Sequence, residues 1–72
     1  MEKKSIRQKF NPVPRAVYPN AGGGTFRCVY NLEDGKAVMQ NIRSGWTFTA
    51  HGIGIYEDGS IDWDRSSGGY FA

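Results

Sequence analysis

Hydrophobic and polar residues alternate with a period of two from Thr25 onward. In the segment TFRCVYNL, Arg27 and Asn31 lie on the polar face, and Val29 is the exception to the alternation. Such alternation is typical of a β-strand with one buried side. The pattern predicts a strand over residues 25–32, and its buried face consists of Phe26, Cys28, Tyr30 and Leu32.

Three segments with glycine in third place interrupt this alternation: EDG at 33–35, RSG at 43–45 and a second EDG at 57–59. The first fits a type I turn that closes through a glycine bulge. Gly35 would supply the positive φ that other residues resist. With these reversals the sequence predicts five short strands, in TFRCVYNL, KAVMQNI and WTFTA, around Ile53 and Ile55, and in SIDWD, and a few paired residues at Tyr70–Phe71.

The hydrophobic register slips after the strand at 46–50. Ile53 and Ile55 lie an odd number of residues from Phe48, so an uninterrupted strand would turn them outward. A bulge or sharp bend at His51–Gly52 would return both isoleucines to the core.

The connections between these strands are short, and parallel neighbours would need a crossover of about a dozen residues or more. No stretch shows a helical period. The sequence therefore predicts an all-β fold, a small antiparallel meander of about five strands that curls toward a barrel. The predicted core consists of Phe26, Cys28, Tyr30, Leu32, Val38, Ile42, Trp46, Phe48, Ile53, Ile55, Ile61 and Trp63.

Residues 1–24 have no usable period, and they contain all three prolines of the chain. Proline fixes its own φ and pushes the preceding residue toward extended geometry. We expect an extended basic arm over 1–24, followed by the β domain over 25–72. Within the arm, RAVY can form a short edge strand that Pro19 ends. The glycine run at 22–24 reads as a connector, because a strand follows it and no Gly-Lys-Ser/Thr is present.

The length of 72 residues allows one domain, and the single Cys28 excludes an intrachain disulfide. No apolar run approaches the ~18 residues of a membrane span. No apolar stretch follows the basic N-terminus, so a signal peptide is not predicted. These features predict a cytoplasmic location.

The net charge of +2 is unevenly distributed. Residues 1–43 hold eight of the nine Lys and Arg residues and three of the seven acidic residues, so residues 44–72 are net acidic. A basic arm can bind a polyanion, or it can lie on the acidic half of its own chain or of a neighbour. Phe10 and Tyr18 lie among its cations and could stack on bases. The candidate nucleic-acid-binding residues are Lys3, Lys4, Arg7, Lys9, Arg15, Arg27 and Arg43.

A protein interface is the function that the sequence favours first. Asp62 and Asp64 would repel phosphate if they shared a binding face with the cations, and aromatic residues dominate protein interfaces. The expected module acts through a sheet edge and exposed aromatics, as an oligomer or as an inhibitor of a larger partner. Its candidate interface residues are Trp46, Tyr56, Trp63, Tyr70 and Phe71.

Catalysis and metal binding receive little support. Nothing in the sequence brings Cys28 and His51 together as a nucleophile and base, and a chain this short has little room for a substrate cleft. The acidic segment YEDGSIDWD lacks the ligand spacing of a calcium loop and would bind a cation weakly at most. We expect no enzymatic activity, no cofactor and no metal.

Overall fold

A computed structural model describes residues 7–71 of the chain and the side chains of residues 7–69. This range contains strands and no helix, so no helix in it could cross a membrane. The strands are β1 (Gln8–Lys9), β2 (Val17–Pro19), β3 (Thr25–Glu33), β4 (Lys36–Asn41), β5 (Trp46–His51), β6 (Gly54–Ile55), β7 (Ile61–Asp62) and β8 (Arg65–Phe71).

These strands form two separate sheets. The large sheet has the order β2-β3-β4-β5-β8, the small sheet has the order β1-β6-β7, and all neighbouring strands are antiparallel. The predicted all-β antiparallel class is confirmed. The predicted barrel is wrong, because the hairpin β6–β7 leaves the large sheet and β8 returns to pair with β5. The sheet therefore keeps two edges, at β2 and at β8.

Two short segments of the predicted arm are strands, one in each sheet, and a turn at residues 14–15 separates them. Gln8 lies opposite Ile55 of β6, and β2 pairs with β3 and ends at Pro19 as predicted. Between them, Pro12 is buried. The ring of Phe10 meets the ring of Tyr18 edge to face at 5.3 Å between centroids.

The chain reverses at Gly35, Gly45 and Gly59 as predicted, and each has a positive φ. The predicted turn type at the first EDG is wrong. Glu33 pairs with Lys36, so the loop is Asp34-Gly35, with φ values of 56° and 74° as in a type I′ turn.

The turn with a glycine bulge occurs at the second EDG instead. There the Gly59 N–H donates to the Tyr56 carbonyl at 3.0 Å, and only Gly59 has a positive φ. The Asp58 carboxylate also accepts the Ser60 N–H at 2.9 Å, which stabilises this turn.

A β-bulge at Val29 changes the predicted core. Cys28 lies opposite Met39 and Tyr30 lies opposite Val38, so Val29 is the extra residue of the pair β3–β4. Beyond the bulge the alternation reverses, and Tyr30 is 61% exposed. The prediction that Tyr30 and Leu32 are buried is therefore wrong.

The predicted burial of Val38, Ile42 and Trp46 is also wrong. β4 buries Ala37 and Met39, which leaves Val38 half-buried on the opposite face. Ile42 and Trp46 flank the β4–β5 turn and are exposed. The Trp46 indole lies across Gly69 of β8, in the place that a Cβ would take.

The rest of the predicted core is confirmed. Gly52 has a φ of 73°, and the predicted bend at His51–Gly52 returns Ile53 to the core with 1% exposure. Trp63 joins the two layers, because its ring contacts both Phe26 and Phe48, with centroids 5.1 and 5.3 Å apart. The buried residues are Cys28, Ala37, Met39, Phe48, Ala50, Ile53 and Ile61, and Phe10, Tyr18, Phe26, Ile55 and Trp63 pack against them.

The bulge at Val29 leads to a direct test by substitution. We expect Met39→Ala to lower the free energy of unfolding by about 2–5 kcal/mol, because it leaves a cavity between the layers. Leu32→Ala should change it by less than about 0.5 kcal/mol, because that side chain is exposed. Urea unfolding measures both, and an equal or larger loss for Leu32→Ala would contradict the register.

Candidate binding face

The large sheet has one face turned away from the small sheet, and we call it the outward face. Residues that lie directly opposite each other in paired strands share a face. The register then places three rows across it. The first row is Val17, Arg27, Gln40 and Thr47, the second is Tyr30, Val38, Thr49 and Ser67, and the third is Glu33, Lys36, His51 and Arg65.

The outward face combines apolar and aromatic surface. Tyr30 is 61% exposed and Val17 is 46% exposed, whereas Thr47 is buried. The strands of the described range all belong to the two sheets, and the small sheet covers the other face. None of these strands covers Tyr30.

Three cations on this face lack ion pairs. Arg27, Lys36 and Arg65 are exposed, and no carboxylate among residues 7–69 lies within ion-pair distance of them. Glu33 contributes the only carboxylate of the three rows and lies opposite Lys36. The rows therefore have a net positive charge.

Among the other carboxylates of the described range, Asp34 follows Glu33 in the β3–β4 turn, and the remaining four lie in or beside the small sheet. Glu57 and Asp58 occupy the β6–β7 turn, and Asp62 lies opposite Gly54 in the small sheet. Asp64 forms an ion pair with Arg7 beside that sheet. The sequence argument against nucleic acid was the repulsion of phosphate by Asp62 and Asp64. Asp62 lies in the small sheet, whereas the Asp64 N–H donates to the His51 carbonyl at 2.8 Å and its carboxylate is paired with Arg7.

His51 lies between two of the cations. It is opposite Lys36 on one side and Arg65 on the other, and its Nε2 is 2.8 Å from the Ser67 hydroxyl oxygen. Desolvation of the ring lowers the pKa of His51, and the charges of Arg65 and Lys36 lower it further. The neutral imidazole is therefore favoured in the unliganded protein.

The arm cations form a different site. Arg7 pairs with Asp64, and Lys9 Nζ lies 3.3 Å from Asp34 Oδ1. The hydrogen bond to Asp64 raises the pKa of Arg7. With the backbone of residues 52–54, these groups line a groove of about 260 Å³. Here the basic arm lies on carboxylates of its own chain, which was one of the two alternatives for the charge asymmetry.

The remaining predicted nucleic-acid residues are dispersed. Arg15 is exposed in the loop before β2, and Arg43 is exposed on the β4–β5 turn. Neither belongs to the three rows, so Arg27 is the one predicted cation that the outward face contains. Lys3 and Lys4 lie outside the described residues.

The predicted interface aromatics do not form one surface. Trp46 lies at the start of β5, Tyr56 begins the β6–β7 turn, and Trp63 belongs to the contact between the layers. The backbone of Tyr70 and Phe71 belongs to β8, and their side chains lie outside the described residues.

The candidates for chemistry are also separated. Cys28 is buried on the inner face, which raises its thiol pKa, whereas His51 lies on the outward face. The Asp58 carboxylate accepts bonds from Ser60, and Asp64 pairs with Arg7. Among the described side chains, no three His, Cys, Asp or Glu residues come close enough to hold a metal ion.

Sequence reasoning missed Tyr30, Lys36, His51 and Arg65 as members of one surface. The signal was the hydrophobic Val29 inside an otherwise regular alternation, since a bulge there turns Tyr30 to the other face; a second register shift follows between Asn31 and Glu33.

The position of His51 gives a testable pKa. Arg65 lowers the pKa of His51 more than Lys36 does. We therefore expect Arg65→Gln, which removes that charge, to raise the pKa of His51. His51 is the only histidine, so its NMR titration is unambiguous. Arg43→Gln removes the same charge away from the rows and should leave this pKa unchanged. Equal shifts in both variants would contradict the arrangement.

Comparisons of the chain with protein-family models, with curated proteins and with solved structures found no match.

Proposed function

We propose that this protein is a small non-enzymatic module that binds single-stranded nucleic acid through its outward face. The observation that supports the proposal is that Arg27, Lys36 and Arg65 share a face with the exposed Tyr30 and form no ion pair with any carboxylate of residues 7–69. Sequence analysis ranked this function second, and the separation of charges between the layers moves it to first.

The chemistry of the face fits a single strand. Arg27, Lys36 and Arg65 can each replace a counterion on a phosphate, and this release of counterions drives binding. An exposed tyrosine ring offers a stacking surface for a base of any sequence. A duplex keeps its base faces stacked inside, so this combination favours unpaired nucleotides.

A protein partner, self-association included, is the second candidate, and Ile42 and Trp46 favour it. Both side chains are exposed beside the β4–β5 turn, 44% and 40% respectively, and exposed tryptophan is typical of protein interfaces.

Strand addition at an edge has weaker support. β2 has three residues and ends in proline. In β8 the register shifts, and Gly68 and Gly69 have φ values of 70° and 140°. Proline and bulges of this kind discourage pairing with another strand.

The salt dependence of binding distinguishes the two candidates. With a fluorescent ten-nucleotide thymidine strand, three phosphate contacts should lower the affinity roughly 20-fold between 50 and 200 mM salt. Fluorescence anisotropy measures this loss. Absence of binding at 50 mM salt would reject nucleic acid as the ligand, and sedimentation of the protein alone would then test self-association.

Substitution of Tyr30 tests the stacking surface. Tyr30→Ala should weaken binding of the same strand by about 5- to 150-fold, since stacking of one base contributes about 1–3 kcal/mol. Tyr30→Phe keeps the ring and should bind within about twofold of the native protein. Val13→Ala removes an exposed hydrophobic side chain in the segment between β1 and β2, outside the three rows, and serves as the matched control. Unchanged affinity in Tyr30→Ala would contradict a role for this face.

A further inference from the structure

The third row of the outward face gathers four hydrogen-bonding side chains from three strands. Lys36 of β4, His51 of β5 and Arg65 of β8 lie in register, and Ser67 contacts His51 at 2.8 Å. Directly opposite residues of an antiparallel pair have Cβ atoms about 4.5–5.5 Å apart. Groups from all three strands can therefore reach one ligand of a few atoms.

The row carries an uncompensated charge in the free protein. Two cations flank His51, one on the strand at each side of β5. Glu33 is the nearest carboxylate in the register, and it forms no ion pair with Lys36. Stability of the fold gives no reason for this arrangement, whereas a bound anion would neutralise it.

We propose that Lys36, His51, Arg65 and Ser67 form a phosphate-binding site. The proposal deepens the proposed function, because it assigns the position of one phosphate of the bound strand. Arg65 can donate two parallel hydrogen bonds to phosphate oxygens, and Lys36 contributes a point charge.

The contact between His51 and Ser67 gives the site a proton-dependent part. A protonated imidazole donates from both nitrogens, so Nε2–H then donates to the Ser67 oxygen. The hydroxyl proton of Ser67 is thereby directed outward, where it can donate to a phosphate oxygen. Protonated His51 also adds a positive charge beside the anion.

The neighbouring row gives the site a direction. Tyr30 and Val38 lie in the second row, and two residues along a strand span about 7 Å. Tyr30 is also two strands, or roughly 10 Å, from His51 across the sheet, so the base on the Tyr30 ring belongs to a nucleotide beside the one whose phosphate lies at the third row. The sugar-phosphate backbone of the nucleic acid would then enter the outward face at the β3–β4 turn.

Phosphate binding and protonation of His51 must reinforce each other. The groups that face its ring are Lys36, Arg65 and Ser67, with Glu33 beyond Lys36. A phosphate offsets the two cations that lower the pKa of His51, so this pKa is higher in the complex than in the free protein. Affinity is then highest below the pKa of the free protein and falls as the pH rises through the pKa of the complex.

The test uses the full chain and two probes, inorganic phosphate and the ten-nucleotide thymidine strand. The NMR titration of His51 should shift to higher pH with either probe, and by more than in sodium chloride of equal ionic strength, which only screens the charges of Arg65 and Lys36. For each unit by which the bound phosphate raises the pKa of His51, the affinity for the thymidine strand at low pH should exceed its affinity at high pH about tenfold. His51→Gln should remove the change in affinity between pH 5.5 and 7.5.

Two further variants isolate the geometry. Ser67→Ala should reduce the pH effect and keep the salt dependence, because Arg65 and Lys36 remain. Arg43→Gln removes one positive charge away from the row and should keep the full pH effect. A pH effect that survives in His51→Gln would overturn the site.

Failure of the site is distinguishable from failure of the proposed function. If the strand binds and Tyr30→Ala weakens it, but neither probe shifts the pKa of His51, the site is wrong and the function stands. If the strand does not bind and inorganic phosphate still shifts this pKa, the function is wrong and the anion site stands. If neither probe binds, both are wrong.

Discussion

The structure depends on how much surface a chain this short can bury. The large sheet has two faces, and the hairpin β6–β7 with β1 supplies material to cover one of them. The ring contacts of Trp63 with Phe26 and Phe48 hold that cover in place. No strand of the described range covers the second face, so exposed side chains such as Tyr30 lie there.

The distribution of charge follows from the same arrangement. The covering layer contains most of the carboxylates, and two of the arm cations are neutralised beside it by Asp64 and Asp34. The outward face keeps Arg27, Lys36 and Arg65 without such partners. The net charge of +2 is thus the sum of a positively charged outward face and a covering layer rich in carboxylates. Only the pairing of the strands places these charges on different surfaces.

The sequence predicted the positions of the strands and turns better than it predicted which side chains face the core. Period-two alternation and the three glycines located the hairpins, and the odd spacing of Ile53 from Phe48 located the bend at His51–Gly52. These signals are local. The bulge at Val29 depends on the partner strand, so Tyr30 was assigned to the core rather than to a binding face. The outward rows join β4, β5 and β8, and no local pattern reports which strands become neighbours.

The pairing of β1 with β6 and of β8 with β5 has a consequence for how the chain folds. Both pairings join segments that are distant in the sequence, and the hairpin that separates β5 from β8 must form between them. Non-local pairing slows folding, because loop closure precedes the contacts that stabilise it. The small sheet cannot be completed before β7 is present or the large sheet before β8, and a chain truncated before β8 leaves the edge of β5 exposed to aggregation.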